Sequence, residues 1–426
     1  MRTTVTDTDW LERGAAHLWL PYAQMKTAAK PRAAVMTDKT RIRLGTGETL
    51  IDGVSSWWTA AHGYNHPALT AAIAAQMQTM PHIMLGGLVH EQACRLATRL
   101  AAITPGDLSR VFFTESGSVA VEVAMKIAVQ YWRNKTGAEK TRFVSFLGGY
   151  HGDTFATMSV CDPEEGMHAL FAGAVTPQHH LGLPSTDETA ARLDETLRAH
   201  DDIAAVIVEP LLQGAGGMLM HDDACLKRMR AICDAHKVLL IFDEIFTGFA
   251  RTGAMFAAER AGVTPDIMVL GKALTGGVAP LAATLASSDV YAAFHDDDPE
   301  KALMHGPTFT GHALACAAAN ASIDLFEKEP RLRQVATIEA ALKTAFDPLK
   351  DLPGVADVRV LGAVGAVEME NPFDIEQARE DFIADGVFVR PIGRVIYLAP
   401  AYVIEPDDLA VLTRAVAGRV HALSRQ

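Results

Sequence analysis

From residue 110 to residue 270 the sequence repeats one arrangement: a short, nearly uninterrupted apolar run, then a longer stretch with apolar residues at three- and four-residue spacing. The runs are Arg110–Thr114, Arg142–Phe146, Ala204–Val208, Val238–Phe242 and Ile267–Leu270. Continuous apolar character marks strands buried on both faces, and strands that alternate with helices build a parallel sheet covered by helices. Between the first two runs, Ala120, Val123, Ala124, Ile127 and Tyr131 fall on one face of a helix expected over Val119–Arg133.

The expected fold class is α/β, with a mostly parallel sheet in a large domain. After Pro330 the pattern changes to short strands, Val355–Leu361, Ala363–Met369, Val387–Val389 and Val395–Leu398, among helices. This reads as a smaller α+β domain completed by the start of the chain. The expected division is 1–60 and 329–426 for the small domain and 61–328 for the large one.

Composition removes several function classes. Hydrophobic residues are 49% and charged residues 21%, as in ordinary globular proteins. The net charge of −13, with no basic stripe, argues against nucleic acid as a partner. The five cysteines, Cys94, Cys161, Cys225, Cys233 and Cys316, form no C-x-x-C pair, so buried free thiols in a reducing compartment are expected. No apolar window is long enough for a membrane span, and Met1 to Glu12 is polar and acidic rather than leader-like. A cytoplasmic location, with no membrane partner, is expected.

Chemistry is written at two strand ends. Val238–Phe242 runs directly into Asp243 and Glu244, and ligands of open parallel sheets bind beyond the carboxyl ends of strands. An N-cap or ion-pair role would explain an acid there equally well. One strand-helix-strand unit later, Ile267–Leu270 is followed by Gly271, Lys272 and small residues. A lysine partly desolvated at a buried strand end loses proton affinity and becomes a nucleophile. Together, acid and lysine suit pyridoxal 5′-phosphate (PLP): the aldehyde takes an amine, and the ring nitrogen takes an acid partner.

Two further segments fit that cofactor. Thr114-Glu115-Ser116-Gly117-Ser118 leads from a strand into a helix, where free N–H groups and the helix dipole meet an anion; a plain serine N-cap is the simpler alternative. Gly148-Gly149-Tyr150-His151-Gly152-Asp153 sets an aromatic ring among glycines, placed to stack on a planar group or to cap a turn. Three apparent motifs are discounted. Gln213–Gly217 lacks the spacing of a dinucleotide loop, His62 and His66 lack a third ligand, and His295–Glu300 is a solvated acidic loop. No metal site is expected.

The order Ser116-Gly117-Ser118, Gly149–Gly152, Ile207–Pro210, Asp243-Glu244 with Thr247-Gly248, Gly271–Thr275 and Gly306-Pro307-Thr308 resembles that of class III, fold-type-I PLP-dependent aminotransferases, over essentially the whole chain. Leu20–Tyr22, Gly53–Trp58 with His62–His66, Met158–Asp162 and Val389–Pro391 with Ile396–Leu398 are similar to a narrower branch. Those enzymes move the amino group of S-adenosylmethionine to 8-amino-7-oxononanoate, giving 7,8-diaminononanoate for biotin, in a ping-pong cycle through pyridoxamine phosphate.

The resemblance implies the following roles. Lys272 holds the cofactor covalently and transfers protons, Asp243 meets the pyridine nitrogen, and Gly117 and Ser118 bind the phosphate. Tyr150 stacks on the ring and touches substrate, while Pro307 and Thr308 reach the cofactor of a second subunit in a homodimer. Tyr22, Trp57, Trp58, Asp153, Gly306 and Tyr397 shape the substrate channel, and Arg390 takes the substrate carboxylate, as a bidentate guanidinium does. Taken singly, an arginine before proline is a surface ion-pair partner and a tryptophan pair is core.

The sequence departs from the family at Phe246 and Ala250, where alanine and glycine are usual, so tighter packing near Asp243 is expected. Two alternatives stand beside this reading. One is another class III aminotransferase, using an ω-amino acid, a diamine or lysine as donor. The other is a PLP-binding regulator or silent scaffold, which the intact lysine, acid and phosphate elements disfavour.

Overall fold

The computed structural model describes residues 9–163 and 168–425. The first eight residues of the expected polar N-terminus lie outside them. The chain divides into two compact units: one comprises residues up to His66 and from Thr337 onward, the other Pro67–Ala336. The expected boundaries, 60/61 and 328/329, fall slightly earlier at both ends.

Strands β1 (Ala34–Asp38), β2 (Arg41–Leu44) and β3 (Thr49–Asp52) open the first unit as an antiparallel meander. The second unit then supplies β4 (Arg110–Thr114), β5 (Arg142–Phe146), β6 (His179–Leu181), β7 (Ile203–Val208), the short pair β8 (Leu212–Gln213) and β9 (Leu219–Met220), β10 (Leu239–Asp243), β11 (Ile267–Leu270) and β12 (Ala282–Ala286). The chain returns to the first unit with β13 (Val355–Leu361), β14 (Val364–Met369), β15 (Val387–Phe388) and β16 (Val395–Leu398). Strand β15 pairs in parallel with β3, Val387 opposite Ile51, which joins early and late chain segments in one sheet.

The second unit is built on a seven-stranded sheet in the order β4-β12-β11-β10-β7-β5-β6. Strand β12 runs antiparallel to both neighbours, and the other six share one direction. Every residue of β7, β10, β11 and β12 is buried, as continuous apolar runs require when both faces are covered. The helix Gly117–Thr136 lays Ala120, Val123, Ala124, Ile127 and Tyr131 into this core beside Ile207, Ile241 and Val269. It extends beyond Val119–Arg133 at both ends, from the Ser116 cap to Gly137, whose φ of 74° closes it in the left-handed conformation.

Strands β6 and β12 had no counterpart among the expected ones. The three residues of β6 are too few to show a pattern, and β12 is mostly alanine, with one Thr and one Leu and no Val, Ile or aromatic residue to mark a strand. All five cysteines are free; Cys94 is exposed, and the other four are buried as expected. Among the described residues, no helix is long and apolar enough to cross a membrane.

Candidate active site

Because six strands of the large sheet share a direction, their carboxyl ends lie along one edge, and β4, β5, β7, β10 and β11 each deliver polar groups there. The two acids after Phe242 have separate fates. Glu244 turns into the structure, where its carboxylate accepts from the Ala257 and Ala258 N–H groups at 2.8 Å each and from the Thr247 hydroxyl at 3.1 Å. Burial lifts its pKa to about 7 against those three donors. Asp243 instead faces His151, whose Nδ1 lies 2.8 Å from Oδ2, while Oδ1 accepts from the Ile245 N–H at 3.1 Å. Both partners are buried, at 3% and 2% exposure.

Lys272 follows β11 through Gly271 and adopts a left-handed backbone, φ 44°. An L-residue there carries strain of about 1 kcal/mol or more, which the surrounding structure must hold in place. Burial lowers the pKa of its amine, and the charges of Asp243 and Glu209 oppose the shift. That balance is the one a nucleophilic lysine needs. Its Nζ stands 5.6 Å from the ring centre of Phe246, so the departure noted at that position touches the reactive group itself. The ring also presses on Gly214, where an added Cβ would lie 2.6 Å from Phe246 Cδ1.

Glu209, just past β7, receives the Tyr150 N–H at 3.0 Å and the Gly214 N–H at 3.1 Å. Burial raises its pKa to about 7; His151 opposes that shift and Asp243 adds to it. In the sequence, Glu209 and His151 stand only as parts of motifs, with no role expected of either. Their signal was position, directly after a strand end, rather than residue type.

At the start of the Gly117–Thr136 helix, the Ser116 side chain accepts from the Val119 N–H at 3.3 Å, so the cap is Ser116. Ser118 is thereby left for the cleft: its Oγ accepts from the Asp153 N–H at 3.2 Å. Gly152, at φ 128°, crosses so close that an added Cβ would fall 2.3 Å from Ser118 Oγ. A Cβ on Gly117 would meet Ile245 Cδ1 at 2.8 Å. Close approach requires glycine at Gly152, where an added Cβ would also lie 2.8 Å from the Ser118 Cα, whereas at Gly117 the Ile245 side chain would have to yield. Tyr150 donates to Asp153 Oδ1 at 3.0 Å, and His168 Nε2 lies 2.9 Å from the same oxygen, with the two rings stacked at 5.9 Å. His168 was not anticipated.

Gly306, Pro307 and Thr308 occupy a loop beside β4, where the Thr310 hydroxyl donates to the Phe113 carbonyl at 2.7 Å and His305 meets the Phe112 ring edge-on. The discounted run Gln213–Gly217 is a chain crossing. A Cβ on Gly216 would sit 1.8 Å from the Gly148 carbonyl oxygen, and Gln213 Nε2 donates to the Leu147 carbonyl at 3.0 Å.

The remaining predicted residues belong to the other unit and form their own cluster. Ser55, Ser56, Trp57 and Trp58 have φ of 50°, 51°, 62° and 72°, a left-handed turn of four L-residues. Asp52 holds it by accepting from the Val54 and Ser56 N–H groups at 2.8 Å each and from the Tyr64 hydroxyl at 2.6 Å. The turn buries Trp58, whose Nε1 donates to the Tyr397 hydroxyl at 3.2 Å, and leaves Trp57 42% exposed. Tyr22 packs edge-on against Trp57 at 6.1 Å, and the Arg390 guanidinium lies 5.4 Å from its ring centre. Among the described residues, Arg390 makes no ion pair with a carboxylate, and burial lowers its pKa.

The second unit therefore offers a buried acid with its own histidine, a lysine whose charge is disfavoured, and a helix N-terminus flanked by the Ser118 hydroxyl and by glycines that keep side chains away. That donor set fits PLP: Lys272 for the aldehyde, Asp243 for the ring nitrogen, Gly117 and Ser118 for the phosphate.

Residues 24–418 match the family described as "Aminotransferase class-III". Over 410 residues the chain is 43% identical to the adenosylmethionine-8-amino-7-oxononanoate aminotransferase of Corynebacterium glutamicum, covering 95% of this chain and 96% of that one. Identity to the enzyme of the same name from Mycobacterium leprae is 45% over 419 residues, with the same coverage. Among solved structures, the fold is similar to the crystal structure of adenosylmethionine-8-amino-7-oxononanoate aminotransferase from Methanocaldococcus jannaschii, with a TM-score of 0.92, 31% identity and 97% and 98% of the two chains covered. It is also similar to a PLP-bound amine transaminase of an uncultivated Pseudomonas species, with a TM-score of 0.88, 31% identity and 95% and 98% covered. The chain belongs to the class-III aminotransferases, PLP-dependent enzymes of fold type I.

Proposed function

We propose that this aminotransferase takes the amino group of S-adenosylmethionine and delivers it to 8-amino-7-oxononanoate, forming 7,8-diaminononanoate for biotin, as a cytoplasmic homodimer. The relatives that carry this name in their own right, at 43% and 45% identity over nearly the full chain, are the observation that carries the reading. The aromatic cluster of Tyr22, Trp57, Trp58 and Tyr397 with Arg390 supports it, because one apolar, stacking surface with a free guanidinium serves both an adenine and a long aliphatic acid.

When bound, PLP supplies the electron sink and carries the amino group between the two substrates. The protein does the rest. Asp243, oriented by His151, holds the proton on the pyridine nitrogen. Lys272 Nζ, whose proton affinity burial lowers, would take the proton from the donor carbon and give it back in the second half of the transfer. Gly117 and Ser118 anchor the phosphate, and Tyr150 with Asp153 borders ring and substrate. Gly306 lines the channel, while Pro307 and Thr308 serve the second subunit's phosphate. Arg390 binds the substrate carboxylate.

The test is a donor panel with the keto acid fixed: S-adenosylmethionine, lysine, a diamine and an ω-amino acid, product identified by mass. Turnover with S-adenosylmethionine is expected; product only with another donor overturns the reading. Lys272→Ala is expected to remain folded and to lose activity by about three orders of magnitude.

A further inference from the structure

We propose that His179, His200 and Asp202 form a binding site for a divalent late first-row transition-metal ion, with zinc as the reference cation. One donor atom from each residue lies within 4.8 Å of the others. The three come from separate elements of the large sheet: His179 opens edge strand β6, His200 caps the helix Asp187–Ala199, and Asp202 leads into β7. These are the amino-terminal ends of β6 and β7, the edge of the sheet opposite the one that carries Lys272 and Asp243.

The donor chemistry is selective. Two imidazoles and one carboxylate with open positions are the set used by zinc and by other borderline divalent ions, whereas calcium and magnesium take oxygen alone. The rings stand 4.3 Å apart between centres at 45°, and among the described residues neither imidazole has a hydrogen-bond partner. A tetrahedral ion with bonds of about 2.0–2.1 Å needs its donors about 3.3 Å apart. Closing from 4.8 Å takes a small side-chain rotation, which His200, exposed, and His179 and Asp202, half-buried, are free to make.

A cation already stands beside the carboxylate and would have to yield to a metal ion. Arg142 Nε lies 3.9 Å from Asp202 Oδ2, and its guanidinium also donates to the Pro177 carbonyl; Asp201 and Lys140 complete the surroundings. A bound ion would tie the start of a three-residue edge strand to the end of a helix and to the entrance of β7. The two histidines stand far apart in sequence without a ligand motif, so the sequence alone predicted no metal.

The test uses PLP-loaded protein, stripped with a chelator, dialysed and titrated with zinc chloride by calorimetry and by thermal melting. One ion per chain and a Tm that rises with zinc are expected, by mass action on the folded state. His200→Ala and Asp202→Asn, both at solvent-accessible positions, are each expected to weaken binding at least about tenfold and to remove the Tm rise. Absence of zinc uptake, or uptake and Tm rise unchanged in both variants, overturns the proposal. Neither readout depends on transamination.

Discussion

His151 Nδ1 and Asp243 Oδ2 lie 2.8 Å apart with almost no solvent on either side. With Nδ1 on one oxygen and the Ile245 N–H on the other, the carboxylate is fixed in orientation toward the strand-end edge. His151→Ala is expected to lower kcat/KM by about 10- to 100-fold, the effect of losing one hydrogen bond to a charged group, and to weaken PLP retention. His151→Asn, which restores an N–H donor, is expected to recover part of both. Cofactor release during dialysis and steady-state kinetics measure the two effects, and equal loss in both variants would contradict an orienting role.

Glu209 makes stability depend on pH in a direction that can be worked out. Burial raises its folded pKa from 4.5 to about 7, so between those values the folded chain holds a proton that the unfolded chain releases. The contribution to stability is complete below about pH 4.5 and is lost as pH rises through about 7. Glu209→Gln stays neutral throughout. The gap between variant and parent in unfolding free energy is expected to shift in the variant's favour by about 1–3 kcal/mol from pH 4.5 to pH 8. Denaturant melts of the two proteins at a series of pH values read this directly; parallel curves would show that Glu209 titrates normally.

The Phe246 ring lies both on Gly214 and 5.6 Å from Lys272 Nζ. Truncation leaves a cavity beneath the reactive amine. Phe246→Ala is expected to cost about 3–4 kcal/mol of stability, in the usual range for a buried phenylalanine, and to lower kcat by loosening Lys272 rather than by removing a chemical group. Thermal melts with and without PLP, alongside kcat, check it. An unchanged Tm would mean that the backbone closes on the space.

Much of this arrangement is legible in the sequence. The strand ends at Asp243 and Lys272 could be read because buried parallel strands write continuous apolar runs, and a charge ending such a run stands out. The division of labour between Asp243 and Glu244 could not, because it depends on which acid faces the N–H groups of Ala257 and Ala258, more than ten residues away. Nor could the pairings of Glu209 with Tyr150, or of His168 with Asp153, which the fold brings together from different loops. Ser116 and Ser118 were equivalent as caps in sequence; only geometry shows that Ser116 closes the helix and Ser118 does not. Trp57 and Trp58 looked like one motif, yet the left-handed turn sends one into the core and the other outward.

That turn gives the last prediction. Four consecutive L-residues at positive φ, Ser55 to Trp58, each carry about 1 kcal/mol or more of conformational cost, and Asp52 offsets it by accepting two backbone N–H groups and one hydroxyl. An amide in place of the carboxylate has a single acceptor oxygen, so Asp52→Asn leaves at least one buried N–H without a partner. Stability is expected to fall by about 1–3 kcal/mol. Because Trp57 belongs to the proposed substrate surface and Asp52 lies outside the PLP-binding unit, KM for the keto acid is expected to rise several-fold while kcat at saturation changes little. Ser56→Gly, which relieves left-handed strain without touching Asp52, is expected to raise Tm and leave KM in place. A fall in kcat without a change in KM for Asp52→Asn would remove this turn from substrate binding and leave it a purely structural feature.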